Sequence, residues 1–146
     1  MYCSRPIFYC CRLSNGISII GKAREINNYK SFWCAEKINS KKLEFELKHK
    51  RKPSIAIMGL AFKPNIDDLR ESPAKYIAQK VLQNANNEEY YIVEPNIETH
   101  SVFKLTDYKE AIEKADIIVF LVAHDEFKSL EFSNDKVILD FCGVMK

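Results

Sequence analysis

A chain of 146 residues with 47% hydrophobic and 29% charged side chains allows one domain plus an appendage, in a globular rather than a disordered or fibrous composition. A formal net charge of +2 is too small to point to nucleic acid, and no apolar run approaches the about 18 residues of a membrane span. The N-terminus does not resemble a secretory signal, because Cys10, Cys11 and Arg12 interrupt it and no small-residue cleavage site follows. The five cysteines, Cys3, Cys10, Cys11, Cys34 and Cys142, are odd in number and form no CxxC pair. That argues against a disulfide framework or a zinc site, and makes reduced thiols and a cytoplasmic location the expectation.

In chain order, the first predicted element is one long helix over residues 21–52, rich in Lys, Glu, Ala and Leu and free of proline until Pro53. Ala23, Ile26, Phe32 or Trp33, and Ile38 give an imperfect apolar stripe, and Asn27-Asn28-Tyr29 is a candidate break. Helix packing is the simpler role for Phe32 and Trp33. The Lys/Arg-rich stretch of residues 41–52 is interrupted by Glu44 and Glu46, which reads as a solvated helix face rather than a binding patch. Residues 1–20 show no comparable pattern.

From Pro53 the chain changes character, and residues 53–146 read as an α/β domain. Residues 55–60, 90–93, 117–122 and 136–141 are apolar runs without alternation, as expected of parallel strands buried on both faces. Helices are expected over residues 75–83, with Ser72 as N-cap and Pro73 at the first helical position, and over residues 107–115. The expected fold is a doubly wound, Rossmann-like parallel sheet preceded by a long helix.

The turn after the first strand carries the chemistry. Residues 59–74 read Gly-Leu-Ala-Phe-Lys-Pro-Asn-Ile-Asp-Asp-Leu-Arg-Glu-Ser-Pro-Ala. A polar turn between a buried strand and a helix lies at the carboxyl edge of an open sheet, where ligands usually bind. It offers Lys63 and Arg70 as cations for an anionic ligand. Each has a plainer reading: Lys63 as a solvated lysine beside a core Phe62, and Arg70 as a local ion pair with its acidic neighbours. Gly59 stands alone in this turn, and the chain has four glycines in all, so the closely spaced glycines of a dinucleotide fingerprint are missing. His124 reads as a loop residue capping the helix that follows, rather than a general base. His49, His100 and His124 are too scattered for a metal cluster, and no metal site is expected.

This sixteen-residue string resembles the start of the C-terminal, UDP-binding domain of the UDP-glucose/GDP-mannose dehydrogenase superfamily, and its wording is most similar to the UDP-N-acetyl-D-mannosamine dehydrogenase branch. The resemblance covers residues 23–143 well. Over residues 6–20 it is weak, resting on Pro6-Ile7-Phe8 ahead of Ala23-Arg24-Glu25-Ile26-Asn27. It implies UDP-sugar contact by Phe62 and Lys63, an Arg70 that reaches towards NAD across a domain interface, and a long helix used for dimerisation. It also implies a family reaction, the NAD-dependent oxidation of a sugar C6 alcohol to a carboxylate used in polysaccharide precursors. Where the family has a basic residue after the last strand stands Cys142, read here as a structural thiol. The family's catalytic cysteine aligns with Met1 and its motif aspartate with Arg5, with Cys3 two positions off, so no catalytic residue is assigned.

The expectation is therefore a UDP-sugar-binding part of such an enzyme, encoded as a truncated or split gene and inactive alone. NAD would be the cofactor of the family and not of this chain by itself. A homodimer, or association with a separately encoded N-terminal half, is expected. The alternative is a nonenzymatic nucleotide-binding or interaction module on the same fold.

Overall fold

Four runs of four residues, Ile55–Met58 (β1), Tyr90–Val93 (β2), Ile117–Phe120 (β3) and Val137–Asp140 (β4), pair into one all-parallel sheet of order β2-β1-β3-β4. They are seen in a computed structural model that describes residues 17–145. Ile55 pairs with both Tyr90 and Ile117, and Ile117 with Val137, so the registers run in step across the sheet. The two central strands, β1 and β3, are buried along their whole length, and that is why they read as unbroken apolar runs. Each strand except β2 is shorter than the apolar run that encodes it. The surplus residues, such as Leu60, Leu121 and Val122, carry the turns at the carboxyl edge.

Helices cover both faces. The helix Ile17–His49 (α1) is one long helix as expected, and the candidate break at Asn27-Asn28-Tyr29 does not form. With Pro73–Gln83 (α2) it packs on the face presented by Ile55, Ile57, Ile117 and Val119. The helix Tyr108–Lys114 (α3) and the short 3-10 turn Asp125–Phe127 cover the other face, presented by Ala56, Met58, Ile118 and Phe120. This is the doubly wound arrangement expected from the sequence. The predicted Ser72 cap forms, its Oγ accepting from the Lys75 amide at 3.3 Å, and at α3 the Asp107 carboxylate accepts from the Lys109 amide at 2.9 Å.

The buried stripe of α1 differs from the one expected. It consists of Ser31, Cys34, Ala35, Ile38, Lys42 and Phe45, none of them before Ser31, whereas Ala23 and Ile26 face solvent. The stripe misled because it contains a serine and a lysine. Lys42 was expected on a solvated face; it is buried, and its ammonium lies 3.3 Å from the Glu88 carboxylate and donates to Tyr90 Oη at 2.9 Å. A bidentate Arg51–Asp116 pair, at 2.7 and 2.6 Å, ties the chain beyond α1 to the start of β3. The expected N-terminal segment, residues 1–20, lies almost wholly outside the described residues.

Candidate functional site at the carboxyl edge

The sheet order sets the place. From β1 the chain moves outward to β2, and from β3 it moves outward the other way to β4, so the order reverses between β1 and β3. Ligands of open α/β sheets bind in the crevice at such a reversal, outside the carboxyl ends of the strands. A cavity of about 310 Å³ lies there, lined by Ala61, Phe62, Pro64, Pro73, Ala74, Leu121, Val122, Ala123 and Cys142. A second, of about 720 Å³, opens on the other side of Phe62, with Arg24, Arg70, Lys75 and Tyr76 among its walls. Phe62 is 50% exposed and belongs to both.

Of the residues singled out in the sequence, Phe62 and Cys142 meet in the smaller cavity, and Lys63 stands exposed on the turn between the lining residues Phe62 and Pro64. The Lys63 ammonium lies 5.9 Å from the centre of the Phe62 ring, at the outer reach of a cation–π contact. Lys63 makes no ion pair among the described residues. Arg70 is on the wall of the larger cavity, and its guanidinium grips Asp68 at 3.0 and 2.9 Å. That grip, together with the Arg70 amide, holds the Asp68 carboxyl down at about 2. Cys142 donates to Asp140 at 3.4 Å, and burial, followed by the Asp140 charge, pushes its thiol up to about 12. A thiol so placed stays protonated at neutral pH and is a poor nucleophile.

The backbone of the turn is held by groups that sequence reasoning missed. Gly59 has φ +93°, and a Cβ there would stand 2.6 Å from Val122 Cβ, so the first turn residue must be glycine. The buried Glu94, just past β2, accepts from the amides of Leu60 at 2.7 Å and Ala61 at 2.9 Å. Its other oxygen lies 3.2 Å from His124 Nε2, off the axis of an aligned hydrogen bond. Burial raises the Glu94 carboxyl, and the His124 ring and the Leu60 amide pull it further down, to a net value below the ordinary range. His124 Nδ1 accepts from the Asn65 amide at 3.0 Å and lies 3.0 Å from Asn96 Nδ2. This assigns the imidazole as the tautomer with its proton on Nε2, facing the carboxylate.

His124 therefore corrects the sequence expectation. It occupies the cap position of the 3-10 turn, but its side chain makes no capping bond, because the ring is fully buried between Glu94 and Asn65. The available signal was an acidic residue directly after a buried apolar strand, in Glu94-Pro95-Asn96. A carboxylate there must either neutralise or find donors.

The same geometry tests the turn against a dinucleotide. In a pyrophosphate-binding βα turn, free amides face the phosphate. Here the Leu60 and Ala61 amides are taken by the protein's own Glu94 carboxylate, and Gly59 is packed against Val122. The residues of this turn do not fit an NAD pyrophosphate. Among the described residues, no group of three or more His, Cys, Asp or Glu side chains could hold a metal ion, and no helix is long and apolar enough to cross a membrane.

Residues 56–146 match the sequence model of the UDP-glucose/GDP-mannose dehydrogenase family, UDP binding domain. The chain belongs to this family. It is 40% identical to a UDP-N-acetyl-D-mannosamine dehydrogenase of Campylobacter jejuni, over 94% of this chain and 33% of the relative. With the enzyme of the same name from Escherichia coli K12 it shares 36% identity, over 97% of this chain and 36% of the relative. The chain thus spans about a third of the length of these relatives. Among solved structures, the UDP-D-ManNAc dehydrogenase of Pyrococcus horikoshii superposes with a TM-score of 0.66 at 29% identity, over 85% of this chain and 29% of that one. A UDP-glucose dehydrogenase of Pyrobaculum islandicum, at 22% identity and a TM-score of 0.68, shares the fold, covering 92% of this chain and 31% of its own.

Proposed function

We propose that the chain binds a UDP-sugar of the UDP-N-acetylmannosamine type in the crevice between the ends of β1 and β3, with Phe62 and Lys63 as its contacts. The observation that carries this reading is Lys63, without an ion pair among the described residues, on an exposed turn at the reversal point of the sheet, in a family whose matching domain is UDP-binding. An ammonium on a flexible stem meets a diphosphate as a compact point charge. Phe62 offers an apolar face beside it, and the cavity walls supplied by Pro64, Pro73 and Leu121 exclude water from one side of the ligand. Cys142, neutral and half-buried, contributes shape there and no charge.

In a complete enzyme the bound sugar would be oxidised at C6 with NAD as hydride acceptor, and Arg70 would be the residue of this domain turned towards that cofactor. Redirecting Arg70 would mean exchanging its Asp68 partner for a phosphate. The 146 residues by themselves are proposed not to reduce NAD: the Leu60 and Ala61 amides are occupied by Glu94, and neither a glycine fingerprint nor a cysteine at the motif position is present in the sequence.

The exposed half of α1 supports association, with a second copy or with a separately encoded N-terminal half. Ile26, Tyr29 and Phe32 are more than half exposed there, and Trp33 is 41% exposed while packing edge-on against Phe141. Such a face marks an interaction site. Ile38, first grouped with it, is fully buried within the chain and plays no part. Sedimentation across a wide concentration range should show dimers that Phe32→Glu dissociates; a monomer throughout would count against self-association.

The experiment for the whole reading is calorimetric titration of the purified chain with UDP-N-acetylmannosamine, beside an assay for NADH formation. Binding without turnover is the expected result. Turnover by the chain alone would overturn the proposed division of labour, and absence of any UDP-sugar binding would favour the interaction-module alternative.

A further inference from the structure

The segment that presents Phe62 and Lys63 is short, exposed and flanked on both sides by bonds to buried groups. On the N-terminal side, the Leu60 and Ala61 amides donate to Glu94 Oε2. On the C-terminal side, Asn65 has φ +60°, a left-handed conformation that needs support in any residue but glycine, and its amide donates to His124 Nδ1. The Asn65 side chain adds a reciprocal pair with Asp125, donating to the carboxylate at 2.8 Å and accepting from the Asp125 amide at 3.0 Å. Glu94 and His124 face each other at 3.2 Å with both side chains fully buried, so the two flanking groups form one unit. Between them, the Lys63 amide has no hydrogen-bond partner among the described residues.

A buried carboxylate and a buried imidazole are costly to keep inside a domain of this size unless their partners are all present. Here the hydrogen-bond partners are the turn or its immediate surroundings: the amides of Leu60, Ala61, Asn65 and Asn96, and the Asn96 side chain. His124 Nε2, without an aligned hydrogen bond, has only the facing Glu94 carboxylate. We propose that Glu94 and His124 are positioning residues for ligand recognition, a buried pair that sets the height and direction of the Phe62–Lys63 segment over the crevice. The inference rests on the UDP-sugar reading above for what that segment recognises. The pair touches no ligand itself. It acts through the backbone at Leu60, Ala61 and Asn65, and fixing that backbone in advance spares the ligand the cost of ordering it.

The test combines a binding cycle with an exchange measurement, both on the full chain. His124→Leu removes the acceptor for the Asn65 amide, whereas His124→Asn keeps an oxygen acceptor near the place of Nδ1. In UDP titrations, His124→Leu should weaken binding about tenfold, and His124→Asn should recover to within about threefold of the unmodified chain. In a Lys63→Ala background, His124→Leu should have less than a threefold further effect, because the charged contact it positions is gone and only the apolar Phe62 contact remains. A general loss of structure would produce neither the rescue nor the dependence on Lys63. Amide hydrogen exchange on the unmodified chain supplies a readout that needs no folded variant and no ligand. Leu60, Ala61 and Asn65 should exchange at least tenfold more slowly than Lys63, relative to their intrinsic rates.

A folded His124→Leu chain that binds UDP as well as the unmodified one, while Lys63→Ala weakens binding, would overturn the proposal. So would an Asn65 amide as fast as that of Lys63. If the unmodified chain binds no UDP, the proposed function fails. Exchange then still decides whether the pair holds the turn.

Discussion

The turn after β1 and the turn after β4 leave the same edge of one sheet, and each is organised by a carboxylate that gathers backbone amides. In the first, Glu94 reaches over from the neighbouring strand, is fully buried and is backed by His124. In the second, Asp140 belongs to the turn's own strand, is exposed, and accepts from Cys142, Gly143 and Met145 at 3.0, 2.7 and 2.9 Å. Water can replace Asp140 as acceptor for those amides, whereas nothing can replace Glu94. The difference separates a turn whose geometry is fixed by the core from one whose geometry is local. It is the fixed turn that carries Lys63, the cation of the proposed site.

The largest effect should come from breaking the buried member of the comparison. Glu94→Ala strands two amides and an imidazole in the interior and should cost about 3–5 kcal/mol in urea denaturation. Asp140→Ala should cost about 1 kcal/mol, since its amides turn to solvent. Equal losses would erase the distinction between the two turns. Next in size, Gly59→Ala forces a β-carbon against Val122 in a left-handed backbone and should cost about 2–4 kcal/mol. A loss under about 1 kcal/mol would mean that the turn can shift, contrary to the fixed geometry argued for it.

Acid sharpens the contrast further. Burial raises both carboxyls, and both nevertheless end below the ordinary range: Glu94 through the His124 ring and the Leu60 amide, Asp140 through the amides of Met145, Cys142 and Gly143. A carboxyl depressed in the folded state contributes its stability in full above its unfolded value, near pH 4, and loses it as pH falls through the folded value. Glu94→Gln and Asp140→Asn should each flatten the acid limb of a stability–pH curve. Asp116, which hydrogen bonds from Arg51 hold at about 2 despite partial burial, should keep a slope between about pH 4 and 2 in both variants.

Much of this architecture was legible in the sequence. The apolar runs gave all four strands because a parallel sheet covered on both faces leaves no solvent side to impose alternation. Ser72-Pro73 announced its helix through capping chemistry that acts over three residues. What could not be read was long-range. The burial of Lys42 depends on Glu88 and Tyr90, more than forty positions away, and a lysine in a charge-rich helix carries no mark of that partnership. His124 looked like a local cap because its true partners, Glu94 and Asn65, come from two other strand ends that only the sheet order brings together. The cations at 63 and 70 were visible from the start, but that Arg70 pairs with Asp68 while Lys63 has no ion pair among the described residues depended on a turn conformation that the sequence does not spell out.

The most direct test of the account is the dependence of UDP binding on Lys63. Isothermal titration of UDP into the unmodified chain and into Lys63→Ala should show affinity falling by one to two decades, the equivalent of losing a charge-assisted contact of about 1.5–3 kcal/mol. Asp140→Ala, the disruption of the locally held turn, should change affinity by less than about threefold. An unaltered affinity in Lys63→Ala would contradict the account, because the ligand would then be held by something other than the cation on the turn that Glu94 and His124 fix.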